Sequence, residues 1–163
     1  MNEIKEVKLV TVNQWASDHP IILSSPADVA HCYAQYITRA NWFTPDKEQL
    51  IGIALNVRKR VSGFYLVTMN LVDQTVFHAR ELFRPAIVLN ARYIILLHNH
   101  PSGDVAPSAT DLQMTKQCVT AGMLLQLEVM DHIIMGDGYY SIRQGGQVNF
   151  TYNKNNGIIK GTT

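Results

Sequence analysis

Two spacings of apolar residues alternate along the chain. From Ser25 onward Val29, Ala30, Tyr33, Ile37 and Ala40 recur at three- and four-residue steps, the signature of one helix face. Ser24-Ser25-Pro26 supplies its start, with serine at the cap and proline in the first turn, where the missing N–H costs nothing. Residues 50–57 are almost continuously apolar, which predicts a strand buried on both faces. Arg58-Lys59-Arg60 predicts a solvated turn, and residues 61–70, with Phe64, Tyr65, Leu66 and Val67, a second strand that pairs most simply as an antiparallel hairpin. Helical spacing returns over residues 79–90, with Leu82, Phe83, Ala86 and Ile87 facing inward. A short β-rich run at 93–97 follows, then a helix over 111–123 with Leu112, Thr115, Val119 and Met123 on one side. Residues 125–135 predict a strand that Gly136-Asp137-Gly138 turns into a hairpin with 139–142. At the ends, residues 1–24 are mixed, with a β-like run at 7–12 and an apolar patch at Ile21-Ile22-Leu23, and the chain from Gly145 is polar and expected to be loose. This order predicts an α/β (α+β) class: a mixed β-sheet with helices packed on its faces.

At 163 residues, 47% apolar and 17% charged, the chain has the balance of one globular domain with a real core. A formal net charge of +1 lends DNA binding no general electrostatic support, and the basic triplet at 58–60 is the one concentrated positive spot. Cys32 and Cys118 lie far apart within helical patterns and read as small buried hydrophobes of a reducing compartment. The first residues lack a basic start followed by an apolar stretch, and no run approaches the roughly 18 apolar residues of a membrane span. The expectation is a cytoplasmic protein without a membrane partner.

The chemistry concentrates in His98-Asn99-His100-Pro101-Ser102-Gly103-Asp104-Val105-Ala106-Pro107-Ser108-Ala109-Thr110-Asp111, a strand-to-helix crossover. Strand residues two apart project from the same face, so His98 and His100 point the same way at the strand end. Pro101, Gly103 and Pro107 fix a tight turn, and the chain re-enters order at Ser108 to Asp111, bringing a third oxygen or nitrogen ligand within reach. Two histidines and a carboxylate with one position left for water is the composition of a catalytic zinc site. Ser-x-x-Asp before an apolar run is equally the pattern of a capping box, and a first-turn carboxylate can serve both ends.

The spacing His98-x-His100, seven residues, Ser108, two residues, Asp111 resembles the JAMM motif of the JAB/MPN metallopeptidases. The fuller string, Glu48 at an earlier strand, His78-Ala79-Arg80-Glu81-Leu82-Phe83 and Asp131-His132-Ile133-Ile134 resemble the RadC branch. The resemblance covers about residues 25–143 and implies a JAB/MPN, cytidine-deaminase-like fold over 25–145, with 1–24 as an extension and 146–163 as a tail. It implies one zinc ion per chain on His98, His100 and Asp111, Glu48 as the general base, and Ser108 as a hydrogen-bond donor to the developing oxyanion. The implied reaction is hydrolysis of a peptide or isopeptide bond in a peptide or protein substrate. Two departures stand out: Val105-Ala106 occupies the place where the RadC loop is expected to have a proline, and, with roughly 45 residues before Glu48, the expectation is a short form without the helix-hairpin-helix DNA-binding domain of longer relatives.

Other acids and histidines have simpler roles. Glu81 falls in the first turn of a helix, where the dipole favours a solvated acid. Asp104 is placed to close its turn through the backbone, and His132 to pack in its strand or support a ligand from behind. The tripeptide His98-Asn99-His100 matches the HNH nucleases in letters only, since those residues are dispersed there. A zinc deaminase would need a second cysteine beside Cys118. The competing class is a DNA-repair or mobile-element accessory protein in which binding matters more than turnover.

Overall fold

The computed structural model describes residues 19–69 and 78–151; the β-like run at 7–12 and the polar segment at 153–157 lie outside the described residues. β1 (Gln49–Leu55) and β2 (Val61–Met69) form the antiparallel hairpin that the sequence predicts, and β3 (Tyr93–Asn99) pairs antiparallel with the other edge of β1. β4 (Glu128–Met135) runs parallel to β3, and β5 (Tyr139–Ser141) is antiparallel to β4, giving the order β2-β1-β3-β4-β5. Every residue of β1 is buried, as its continuous hydrophobicity requires.

Helices cover both faces of this mixed sheet, so the α+β expectation holds. On one face α1 (Pro26–Gln35), capped by the reciprocal Ser25 and Asp28 hydrogen bonds, buries Val29 and Cys32 with Ile51, Ile53, Ile95, Leu97 and Ile133. On the other, α2 (Ala79–Val88) and α3 (Ala109–Leu125) bury Leu82, Phe83, Met114, Cys118 and Val119 with Leu50, Ala54, Ile94, Leu96 and Ile134. The period-two alternation therefore assigns the even positions of β1 and β3 to the α2/α3 face and the odd ones to the α1 face. His98 is the last even position of β3, and Asn99 the last odd one, opposite Gln49.

Several details depart from the periodicity. The inward stripe of α3 is Asp111, Met114, Thr115, Cys118, Val119 and Gly122, while Leu112 and Met123 are only partly buried. Thr115 and Val119 face inward as expected, but a polar residue opens the stripe, so counting apolar positions includes its flanks and leaves out Asp111. Ile87 is exposed: the residues that α2 buries are Leu82, Phe83 and Ala86. Leu125 ends α3 instead of starting a strand, since Gln126 adopts a left-handed φ of 56° that closes the helix. Beyond α4 (Ile142–Gly145), Val148 and Phe150 are buried in the α2/α3 core. No helix among the described residues is long and apolar enough to cross a membrane.

Gly52 lets the hairpin carry a large ring. A Cβ there would lie 2.5 Å from the Tyr65 ring, whose hydroxyl donates to the Leu82 carbonyl at 2.7 Å and so ties α2 to the sheet. Gly52→Ala is expected to cost about 1–3 kcal/mol, as overpacking does, read by urea denaturation; an unchanged midpoint would mean that the ring moves aside freely.

Candidate metal centre

The end of β3 and the start of α3 meet over the sheet. His100 lies one residue past β3, and its N–H donates to the Met135 carbonyl at 2.7 Å, continuing the ladder with β4. The two imidazoles thus stay on one side, with ring centroids 4.8 Å apart. Gly103, at φ +86°, turns the loop, donating to the His100 carbonyl at 3.1 Å and accepting from Asp137 N at 2.9 Å. Asp104 closes the turn as expected, its Oδ1 accepting from Ala106 N at 2.9 Å. Its carbonyl oxygen lies 2.7 Å from His100 Nδ1. A carbonyl only accepts, so that nitrogen carries a proton and Nε2 is the nitrogen that faces the site.

Ser108 and Asp111 form the capping box of α3. Asp111 Oδ2 accepts from Ser108 N at 2.8 Å and from Ser108 Oγ at 2.6 Å, and Ser108 Oγ accepts from Asp111 N at 3.1 Å. The same carboxylate faces the histidines, with Oδ1 2.9 Å from His98 Nδ1 and Oδ2 3.7 Å from His100 Nε2. The capping box is formed, and the same carboxylate stands within reach of both histidines.

Glu48 enters from the residue before β1. Its Oε1 lies 3.1 Å from His98 Nε2 and 3.6 Å from His100 Nε2. One ligand atom each from Glu48, His98 and His100 falls within 4.8 Å of the other two, a spacing that can hold a metal ion, with Asp111 adjoining the group. His98 is 2% exposed. Both of its ring nitrogens are buried without a well-aligned hydrogen bond, although carboxylates flank them. Buried polar atoms left in this state are uncommon, and two imidazoles facing two carboxylates are the donor set of a divalent ion, so the residues fit one.

The charges reinforce each other. Contact with His98 holds the Glu48 carboxyl below its usual range. Burial by itself would raise Asp111 and depress His98, but their mutual contact, with Ser108 on one side and Glu48 on the other, outweighs it and drives the acid down and the imidazole up.

Behind His98 stands His132, fully buried, its ring stacked at 6.1 Å between centroids. Thr115 donates its hydroxyl proton to the Asp111 carbonyl at 2.6 Å, and its oxygen lies 2.7 Å from His132 Nδ1. With that proton committed, Nδ1 is the donor of the pair, and Nε2 is left buried and unpartnered. Sequence reasoning placed Thr115 in an apolar stripe and missed this support. The pairing has no signature in spacing because it joins α3 to β4. The Asp104 carbonyl was missed for another reason: any residue type supplies one.

The remaining candidates stay apart from the cluster. Glu81 pairs with Arg80 at 3.0 Å and Arg84 at 3.5 Å on the exposed side of α2. The basic triplet turns β1 into β2, with Asn56 Oδ1 accepting from Arg58 N and Arg60 N. Both cysteines are free and buried; burial raises the thiols of Cys32 and Cys118 to about 11 and about 12. A cleft of about 190 Å³ opens beside His100, lined among others by Tyr33, Pro101, Met135 and Asp137.

A sheet covered on both faces, with two histidines at a strand end facing two carboxylates, defines a domain built around a candidate divalent-metal centre. The RadC-like JAB domain family model matches residues 23–147, and the chain belongs to that family. It is 39% identical over 124 residues to the UPF0758 protein tlr1707 of Thermosynechococcus vestitus, covering 76% of this chain and 48% of that protein. It is 35% identical over 127 residues to a UPF0758 protein of Rubrobacter xylanophilus, covering 78% and 54%, and 40% identical over 102 residues to one of Roseiflexus castenholzii, covering 62% and 44%. The chain thus spans about half the length of the curated relatives it matches.

Proposed function

We propose that this chain is a zinc-dependent hydrolase of JAMM type that cleaves a peptide or isopeptide bond in a peptide or protein substrate. The observation that carries the reading is the convergence of His98, His100, Asp111 and Glu48 with both His98 nitrogens buried and unaligned to any hydrogen-bond partner. His98, His100 and Asp111 would hold the ion. A bound zinc ion supplies a water whose pKa falls toward ~7 and an electrophile for the carbonyl oxygen. Glu48, 23% exposed and kept ionised by His98, is the acceptor for the proton of the attacking water and returns it to the leaving amine. Ser108 donates to Asp111 in the resting arrangement; serving the oxyanion requires its hydroxyl to rotate away from Oδ2.

The test is metal content with two variants, in protein purified without chelator or a histidine tag. Wild type is expected to carry about one zinc per chain, His100→Ala to lose it, and Glu48→Gln to keep it. Loss in Glu48→Gln as complete as in His100→Ala would make Glu48 a ligand instead of a base. A wild type that binds no divalent ion would sink the hydrolase reading and leave the DNA-associated one.

A further inference from the structure

We propose that Asn99 is the positioning residue for Glu48; the inference rests on the reading of Glu48 as the general base. Asn99 lies between His98 and His100 in sequence, yet strand alternation turns it to the opposite face of the sheet, away from the cluster. There its side-chain amide makes two hydrogen bonds. Oδ1 accepts from Gln49 N at 3.0 Å, and Nδ2 donates to the Lys47 carbonyl at 2.9 Å. The acceptor and donor of one planar group therefore grip the two peptide units on either side of the Glu48 Cα.

Glu48 needs such an anchor. It precedes β1, where strand pairing begins at Gln49, so the ladder with β3 does not itself reach it. With both flanking peptide planes tied to one rigid amide, φ and ψ of Glu48 are set, and Oε1 is delivered to within 3.1 Å of His98 Nε2. The amide is itself held in place. Asn99 is 4% exposed and Gln49 fully buried, and the Gln49 side chain bonds the Trp42 carbonyl at 3.1 Å and Thr44 N at 3.0 Å, stitching the approach to the strand. An amide is the group that presents a donor and an acceptor side by side; a carboxylate would set an oxygen against the Lys47 carbonyl. Asn99 borders the cleft beside His100, but both ends of its amide are committed to the backbone around Glu48, and it acts on the site through Glu48, whereas a ladder extension of purely structural use would leave the chemistry of the site unmoved.

Asn99→Ala and the near-isosteric Asn99→Asp, which preserves packing where alanine fails to fold, separate the two cases. In Asn99→Ala the Gln49 amide is expected to exchange hydrogen about tenfold faster, while amides within β3 and β4 are unchanged; Asn99→Asp keeps an acceptor for that amide and loses only the bond to the Lys47 carbonyl. Zinc affinity is expected to stay within about threefold of wild type, because the ligands are untouched, whereas loss of a group bonded to a ligand costs tenfold or more. The decisive readout is the pH midpoint of the visible absorption of cobalt(II)-substituted protein. Asn99→Ala is expected to move it in the same direction as Glu48→Gln, by about half a pH unit or more, and the double variant no further than Glu48→Gln alone. A midpoint shifted by Glu48→Gln and unmoved by both Asn99 variants would overturn the positioning role while leaving the base intact. No shift from Glu48→Gln would sink the base reading, and this inference with it.

Discussion

Asp111→Ala is expected to abolish tight zinc binding and to destabilise the metal-free fold by about 3–5 kcal/mol, the range for removing one partner of a buried charged pair. The residue serves three structures at once. Its Oδ1 faces His98 at 2.9 Å, its Oδ2 takes two hydrogen bonds from Ser108, and its backbone carbonyl receives the Thr115 hydroxyl that supports His132. Alanine keeps only the last. Without the carboxylate, Glu48 is the one carboxylate left against His98 among the described residues, and the first turn of α3 loses half of its capping box. Asp111→Asn, which keeps the shape and an acceptor for Ser108 N, should recover part of the stability and none of the metal affinity. Urea denaturation with chelator, beside competition titration with zinc, measures both. An alanine variant as stable as wild type would show that the carboxylate contributes nothing to the fold before metal arrives.

The second large effect is a dependence of stability on pH. Burial, reinforced by the charge of His98, depresses His132 to about 3 from its ordinary 6.5. The unfolded chain therefore takes up a proton at this position in a range where the folded one does not. The contribution of His132 is fully present above pH 6.5 and is lost as pH falls toward about 3, at up to about 1.4 kcal/mol per pH unit. Asp131 contributes with the opposite sign, because burial raises its carboxyl against the hydrogen bonds from Ser141, Arg143 and His132. Comparison with His132→Asn isolates the histidine: asparagine retains a donor for Thr115 and cannot titrate. In chelator, between about pH 5 and 6.5, wild type should lose stability on acidification more steeply than the variant, by about that slope. Parallel curves would show that the imidazole is already relieved, by water or by movement of the ring.

Much of this arrangement follows from local sequence. The burial of β1, the hairpin to β2, the cap of α1 and the Asp137 turn all arise from neighbours in the chain, where periodicity and turn chemistry act directly. The His98, His100 and Asp111 set was readable for the same reason: a strand end, a tight loop and a helix start bring the three within one short segment. Glu48 is separated from His98 by fifty positions, and its place in the cluster was supplied by the likeness to a family, not by any spacing within the chain.

Tertiary structure alone decided the rest. Antiparallel pairing of β1 with β3 in the register Gln49 to Asn99 carries Glu48 to the histidines, and a slip of one residue would turn it to the other face. Parallel pairing of β3 with β4 lays His132 behind His98, and the docking of α3 gives Thr115 its two partners. The docking of α3 made Asp111 a buried acid at the head of the stripe that holds Thr115 and Val119, a place its apolar pattern does not mark. Spacing along the chain reports which side chains share an element; which elements share a site depends on register and packing, and those are settled only when the sheet assembles.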